Sequence, residues 1–213
     1  MLAGVNGAGK SSIGGAAIRD AGGEYFNPDE VARQMRQTRP RLGQTEANAA
    51  AWLIGKSMLE RAIEQRLDFA FETTLGATTM TSLLISAARA GFEIHLWYAG
   101  LASPELHIQR VKARVLLGGH DISETDIRRR YDHSRLNLIR LLPWLCSLRV
   151  FDNSRDADPA VGRTPTPTLV LHLQNGVMKS CAMEATPHWA RPIVAAALKS
   201  PAAAAPQKSR RDQ

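Results

Sequence analysis

Apolar residues in this chain gather in short blocks separated by longer stretches of helical spacing. LDFAFETTL (67–75), FEIHLWYAGL (92–101) and LRVFDNS (148–154) each carry a brief apolar run bounded by turn residues. Such runs read as strands buried on both faces of a sheet, and a further short strand is expected at Glu24-Tyr25-Phe26. Between them the pattern predicts helices from Lys10 to Ala21, from Asn27-Pro28-Asp29 to the Arg39-Pro40-Arg41 break, and from Thr45 to Arg66. The last is alanine-rich, with Trp52, Leu53, Met58, Leu59 and Ile63 as its expected apolar stripe. Further helices run from Met80 to Ala90, closing at Gly91, and from Ser103-Pro104-Glu105 to Gly118-Gly119. Another starts at Ser123, where Asp126 three residues on resembles a capping box, and ends near Leu142.

Strand and helix thus alternate from residue 1 to 154. That order predicts an α/β fold with a doubly wound, mainly parallel sheet of the P-loop kinase type. Beyond Arg155 the character changes. Pro159, Pro165 and Pro167 mark a linker, and TLVLHLQNGVMKSCA predicts a β-hairpin about Asn175-Gly176 at the sheet edge. Residues 200–213, SPAAAAPQKSRRDQ, read as a disordered tail. The expected organisation is a core over 1–155 with a helical lid around 110–135, an extension over 156–199, and the tail.

The chemistry begins almost at the first residue. AGVNGAGKSS (3–12) places Gly4, four free positions, then Gly9-Lys10-Ser11, the phosphate-loop spacing G-x-x-x-x-G-K-[ST]. Backbone N–H groups of Gly4, Asn6, Gly7, Ala8, Gly9, Lys10, Ser11 and Ser12 would wrap a nucleotide phosphate. Lys10 would reach its outer phosphates, and the Ser11 hydroxyl would bind Mg²⁺. Only Met1-Leu2-Ala3 precede the loop, so the strand before it is short. The expectation is a mis-assigned or truncated start, or a stub strand.

Asp29 follows Lys10 by nineteen positions, at the end of the second expected strand, where ligands of doubly wound sheets bind. It can accept the proton of an attacking hydroxyl or simply cap its helix, with Glu30 as the spare. Glu72, Thr73 and Thr74 end the third strand. There Glu72 could grip Mg²⁺ or a substrate hydroxyl, and Thr74 a substrate phosphate; the plain alternative is a threonine-capped turn. Arg110, Arg114, Arg128, Arg129, Arg130, Arg135 and Arg140 crowd two helices joined by GGHDIS. They suit a lid that closes on phosphate, with Arg114 and one of Arg128–Arg130, weighted to Arg128 and Arg129, facing in. His120 reads as solvent-exposed or as a loop stabiliser. Asp152-Asn153-Ser154 reads as adenine-side structure.

Composition narrows this little. The net charge of +7 and pI near 9.9 suit a nucleotide and also nucleic acid. Aromatic residues are only 6%, without a cluster for base stacking, which counts against nucleic acid. No apolar run approaches the roughly 18 residues that span a bilayer, and no secretory signal is visible, so a cytoplasmic protein is expected. Cys146 and Cys181 read as buried reduced thiols. The guanine-specific N-K-x-D pattern is absent.

AGVNGAGKSS, FNPDEVA, FETTL, RVKARVLLGGHDIS, IRRRYDHSRLNL and FDNS, in that order over residues 1–155, resemble the zeta-toxin-like phosphate-loop kinases. The resemblance implies transfer of phosphate from ATP, with Mg²⁺, to a sugar hydroxyl of UDP-N-acetylglucosamine, and restraint by a small protein antitoxin. It implies Lys10 as the phosphate-loop lysine, Asp29 as base, Glu72 and Thr74 as the substrate pair, and Arg114 with one of Arg128–Arg130 on the ATP phosphates. NPDE replaces the D-x-D context of the plasmid toxins, and Thr73 stands where a glycine often follows the glutamate. A polynucleotide 5′-hydroxyl kinase and a non-catalytic ATP-binding regulator are the competing readings.

Overall fold

The computed structural model describes residues 1–20, 24–155 and 166–199. The expected linker prolines at 159 and 165 and the tail over 200–213 lie outside the described residues. Six strands form one sheet: β1 (Leu2–Ala3), β2 (Glu72–Thr73), β3 (His95–Gly100), β4 (Ser147–Asp152), β5 (Thr168–Gln174) and β6 (Val177–Cys181). Their order is β2-β1-β3-β4-β5-β6, parallel through β4 and antiparallel beyond it. The α/β sheet expected from the alternation is therefore present, with its hairpin at the edge. Asn175 and Gly176 both take the positive φ that a two-residue hairpin turn requires, 50° and 72°.

β1 is a two-residue stub, yet it occupies the interior of the sheet. Leu2 lies opposite Glu72 on one side and Trp97 on the other. This register sets the phosphate loop, which starts at Gly4, directly beside the end of β2. The strand expected at Glu24–Phe26 contracts to one parallel bridge, Phe26 with Phe71.

The helices are α1 (Ala16–Asp20), α2 (Pro28–Thr38), α3 (Gln44–Gln65), α4 (Thr78–Arg89), α5 (Pro104–Leu116), α6 (Glu124–Leu141) and α7 (Arg191–Lys199). A π-helical turn over Ser11–Gly15 leads into α1. The caps follow the local sequence. Asn27 Oδ1 accepts from the Asp29 N–H at 3.0 Å, Ser103 Oγ from Leu106 N–H at 3.2 Å, and Ser123 Oγ from Asp126 N–H at 3.1 Å.

The expected stripe of α3 is corrected. Its buried face is Ala47, Ala51, Gly55, Leu59 and Ala62, whereas Trp52, Leu53 and Met58 are exposed. Close approach selects the small residues: a Cβ on Gly55 would lie 2.6 Å from the Phe26 ring. Of the stripe, Leu59 is buried, and Ile63 packs half-buried against the core.

The main core joins Leu96, Tyr98, Leu148 and Val150 of the parallel strands to Val170 and Leu171 of the hairpin and Trp189, Ile193 and Val194 near α7. α7 was not apparent from the sequence. Trp189 lies so close over Gly100 that a Cβ there would stand 2.3 Å from the indole, whose Nε1 donates to Asp152 Oδ1 at 2.9 Å. Val5, Ile108, Val111 and Ile127 form a second cluster that seats α5 and α6 on the phosphate loop. Cys146 and Cys181 are free and half-buried rather than fully buried. Among the described residues no helix is long and apolar enough to cross a membrane.

Candidate active site

The loop from Gly4 to Ser12 turns tightly because its glycines permit it. Gly9 has φ 84°, and a Cβ there would collide with Asn153 Nδ2 at 2.4 Å. Asn153 donates from that nitrogen to Ala8 O at 2.9 Å. DNS at the end of β4 thus anchors the phosphate loop through Asn153. Behind the loop, buried His107 donates from Nδ1 to Asn6 O at 2.8 Å; a carbonyl only accepts, so this nitrogen carries the proton. Burial pushes the imidazole down to about 4.

Lys10 is buried and its Nζ stands 3.4 Å from Glu72 Oε1 and 3.4 Å from Val5 O. Ser11 Oγ donates to Glu72 Oε2 at 3.1 Å. One carboxylate therefore holds both the lysine and the hydroxyl of the phosphate loop. Thr73 and Thr74 accept from Leu75 N–H and Gly76 N–H at 3.1 and 3.3 Å, so both hydroxyls close the turn after β2. Asn137 of α6 fixes the same turn by donating to Leu75 O at 2.8 Å.

Asp29 sits in the first turn of α2, half-buried, and the cap expected of it falls to Asn27 instead. Its N–H is the one that the Asn27 side chain caps, which leaves its carboxylate to face two clefts. One, of about 320 Å³, is lined by Asn6, Phe26, Trp52, Glu72, Thr74, Arg129 and Arg130. The other, of about 590 Å³, is lined by Ser11, Arg33, Arg36, Arg114 and His120. Glu30 turns away to Arg19 at 2.7 Å.

Arg114 Nη1 lies 3.6 Å from Asp29 Oδ2, and His120 Nε2 lies 3.6 Å from Asp29 Oδ1. His120 is mostly shielded, so of its two expected places, open to solvent or stabilising the loop, the structure excludes the first. Burial lowers its pKa from the ordinary histidine value, against the pull of Asp29.

Among the consecutive arginines the structure turns Arg130 inward. Its Nη1 donates to Asn6 Oδ1 at 2.8 Å, and its stem packs on Gly76. Arg128 pairs with Glu105 at 2.5 Å on the surface, and Arg129 with Asp126 at 2.6 Å, although Arg129 also lines the smaller cleft. Arg128 is thereby removed from the phosphate side. Sequence inspection could not have chosen, because each step along a helix turns the side chain by about 100°. The placement of His120 had one signal, its position directly after the Gly118-Gly119 break.

The cradle suits a nucleotide phosphate. Gly9 leaves no room for a side chain, and Lys10 and the Ser11 hydroxyl converge beside Glu72. Among the described residues no cluster of three or more His, Cys, Asp or Glu forms a metal cage. A divalent ion here would rest on Ser11 and Glu72 together with phosphate oxygens, as Mg²⁺ does in phosphate-loop proteins.

A family model described as Zeta toxin matches residues 1–156. An uncharacterized protein of Haemophilus influenzae is 35% identical over 128 residues, covering 60% of this chain and 88% of that protein. Crystal structures of the AvrRxo1-ORF1:AvrRxo1-ORF2 complex share the fold. The native form has TM-score 0.60 and 15% identity over 85% of this chain; the form with ATP has 0.61 and 14% over 100%. The present chain spans 59% and 64% of those chains. A structure from the PezAT chromosomal toxin-antitoxin system of Streptococcus pneumoniae gives TM-score 0.51 at 13% identity, covering 93% of this chain and 82% of that one.

Proposed function

The chain belongs to the zeta toxin family, and on that premise we propose that it is an ATP- and Mg²⁺-dependent kinase for a small-molecule hydroxyl. The observation that carries this reading is the Lys10–Ser11–Glu72 group beside two adjoining clefts, one lined by Glu72 and the other by Ser11, with Asp29 lining both. A nucleotide-binding protein without transfer needs the first three and has no use for a carboxylate opposite them. The acceptor proposed is a UDP-activated amino sugar such as UDP-N-acetylglucosamine. The smaller cleft offers it the Trp52 and Phe26 rings, Thr74 and Asn48.

The chain's residues divide the work as follows. The loop N–H groups and Lys10 hold the donor's outer phosphates, and Lys10 shifts from Glu72 towards them. Arg130 and Arg114 flank the γ-phosphoryl position and offset charge that spreads over its oxygens during transfer. Asp29 takes the proton of the acceptor hydroxyl as that oxygen attacks phosphorus in line with the leaving oxygen. Ser11 and Glu72 would hold Mg²⁺, which would supply charge neutralisation at the phosphate oxygens. The lid helices exclude water, which would otherwise compete as acceptor.

The PezAT and AvrRxo1 structures are of toxin-antitoxin or two-component complexes; a protein antitoxin is proposed as a partner here. The test is transfer from γ-labelled ATP to a panel of UDP-sugars, nucleosides and simple sugars. Label on a UDP-amino sugar that vanishes with Asp29→Asn supports the reading. ATP bound with label transferred to none of them rejects it.

A further inference from the structure

The carboxylate of Asp29 belongs to α2, but both of its oxygens face residues of the lid. Arg114, two residues before the end of α5, stands 3.6 Å from Oδ2. His120, on the loop between α5 and α6, stands 3.6 Å from Oδ1. The loop is folded so as to deliver them. Gly118 has φ 84°, Gly119 N–H donates to Arg114 O at 3.0 Å, and Arg114 Nη2 donates to His120 O at 3.1 Å. Gly119 packs directly on the Arg114 stem, where a Cβ would stand 2.6 Å from Cγ. His120 Nε2 is closed off from solvent yet has no hydrogen-bond partner among the described residues, and neither has Arg114 Nε. A shielded polar atom without a partner is costly, so the arrangement gains by closing the last half-ångström or so onto Asp29.

We propose that His120 is a positioning residue for Asp29: with Arg114 it clasps the carboxylate, so that the base is aimed only while the lid lies against α2. The inference deepens the kinase reading and rests on it for its kinetic consequences. It ties arming of the base to the same lid movement that excludes water. A donor bound with the lid open would meet an unaimed base, which limits wasteful hydrolysis.

The ring also makes the clasp pH-sensitive. The charged groups around it are Asp29 of α2, Arg114 of α5, Asp121 in the loop and Arg130 of α6. While His120 is neutral it orients the carboxylate as a hydrogen-bond donor. Once protonated it becomes an ion-pair partner and lowers the basicity of Asp29. Turnover should therefore fall on the acid side as His120 gains its proton.

The experiment has an arm that does not need the acceptor. Hydrogen exchange of residues 116–123 and ¹³C-detected titration of the six histidines are compared in the wild type, His120→Ala, His120→Gln and Asp29→Asn. The clasp predicts several-fold faster loop exchange in His120→Ala and in Asp29→Asn. It also predicts that Asp29→Asn lowers the pKa of the His120 resonance by half a unit or more while the other histidines stay put. Unchanged exchange and an unchanged His120 titration overturn it, whether or not the protein proves to be a kinase. In turnover, His120→Ala should lower kcat at least tenfold with KM for ATP within twofold. His120→Gln, which keeps a donor, should restore most of kcat and lose the acid limb set by His120. A wild-type acid limb in His120→Gln overturns the proposal even if phosphate transfer is intact. Absence of transfer in the wild type fails the kinase reading alone and leaves the exchange and titration to decide the clasp.

Discussion

Glu72 Oε1 lies 3.4 Å from Lys10 Nζ, and both side chains are almost wholly buried. A buried ammonium and carboxylate are tolerable together, and removing one strands the other. Glu72→Ala should therefore destabilise the nucleotide-free protein by about 3 kcal/mol, and bound ATP should recover part of the loss by supplying counter-charge to Lys10. Thermal unfolding with and without a non-hydrolysable ATP analogue checks both statements. An equal loss with and without the analogue would deny that Lys10 exchanges Glu72 for phosphate.

Arg130 and Arg128 are two residues apart and should behave oppositely. Arg130→Ala removes the side chain that reaches Asn6 of the phosphate loop and should weaken binding of the ATP analogue at least tenfold. Arg128→Ala removes only a surface partner of Glu105 and should leave affinity unchanged. Calorimetric titration of the two variants separates them; equal effects would refute the inward orientation of Arg130.

His107 gives the fold an acid-sensitive group. Its folded pKa of about 4 is below the ordinary histidine value of 6.5 because burial disfavours the charged ring. Between pH 6.5 and about 4 the unfolded chain takes up a proton that the folded chain refuses. Stability therefore falls as pH drops through that window, by roughly 3 kcal/mol in all, and this term is constant above it. Denaturant unfolding across the window should show the slope in the wild type and a reduced slope in His107→Asn, whose Nδ2 stands where Nδ1 donates to Asn6 O.

Gly9 and Asn153 form a steric pair. Gly9→Ala should abolish analogue binding, since its Cβ meets Asn153 Nδ2 and its φ is left-handed. Asn153→Ala alone removes the bond to Ala8 O and should cost about 1 kcal/mol of stability. The double variant should fold better than Gly9→Ala, because the clash is gone and only the backbone strain stays. Urea unfolding of the three proteins tests this, and a double variant no better than Gly9→Ala contradicts the pairing.

The phosphate loop and the alternation of strands were legible because each is written in consecutive residues. The helix starts at Asn27-Pro28-Asp29 and Ser103 and the hairpin at Asn175-Gly176 were legible for the same reason. What failed required distant partners. The buried face of α3 is decided by the Phe26 ring, against which only Gly55 and its alanine neighbours fit, so the bulky residues that suggested a stripe point outward. The choice of Arg130 over Arg128 depends on how α6 rolls on the turn after β2, which Asn137 fixes through Leu75 O. α7 is short, and its apolar residues acquire meaning only from the pocket that Trp189 fills over Gly100. For His120 the Gly118-Gly119 break marked a turn but not the neighbour, because Asp29 lies on a different helix distant in sequence.

The most direct measurement is phosphate transfer from γ-labelled ATP, with Mg²⁺, to a UDP-amino sugar by the wild type and by Asp29→Asn, alongside calorimetric ATP-analogue affinity for both. The account predicts label on a sugar hydroxyl with the wild type, a loss of at least a hundredfold in Asp29→Asn, and analogue affinities within threefold of each other. Equal transfer by the two proteins, or tight ATP binding with no transfer by the wild type, would contradict it.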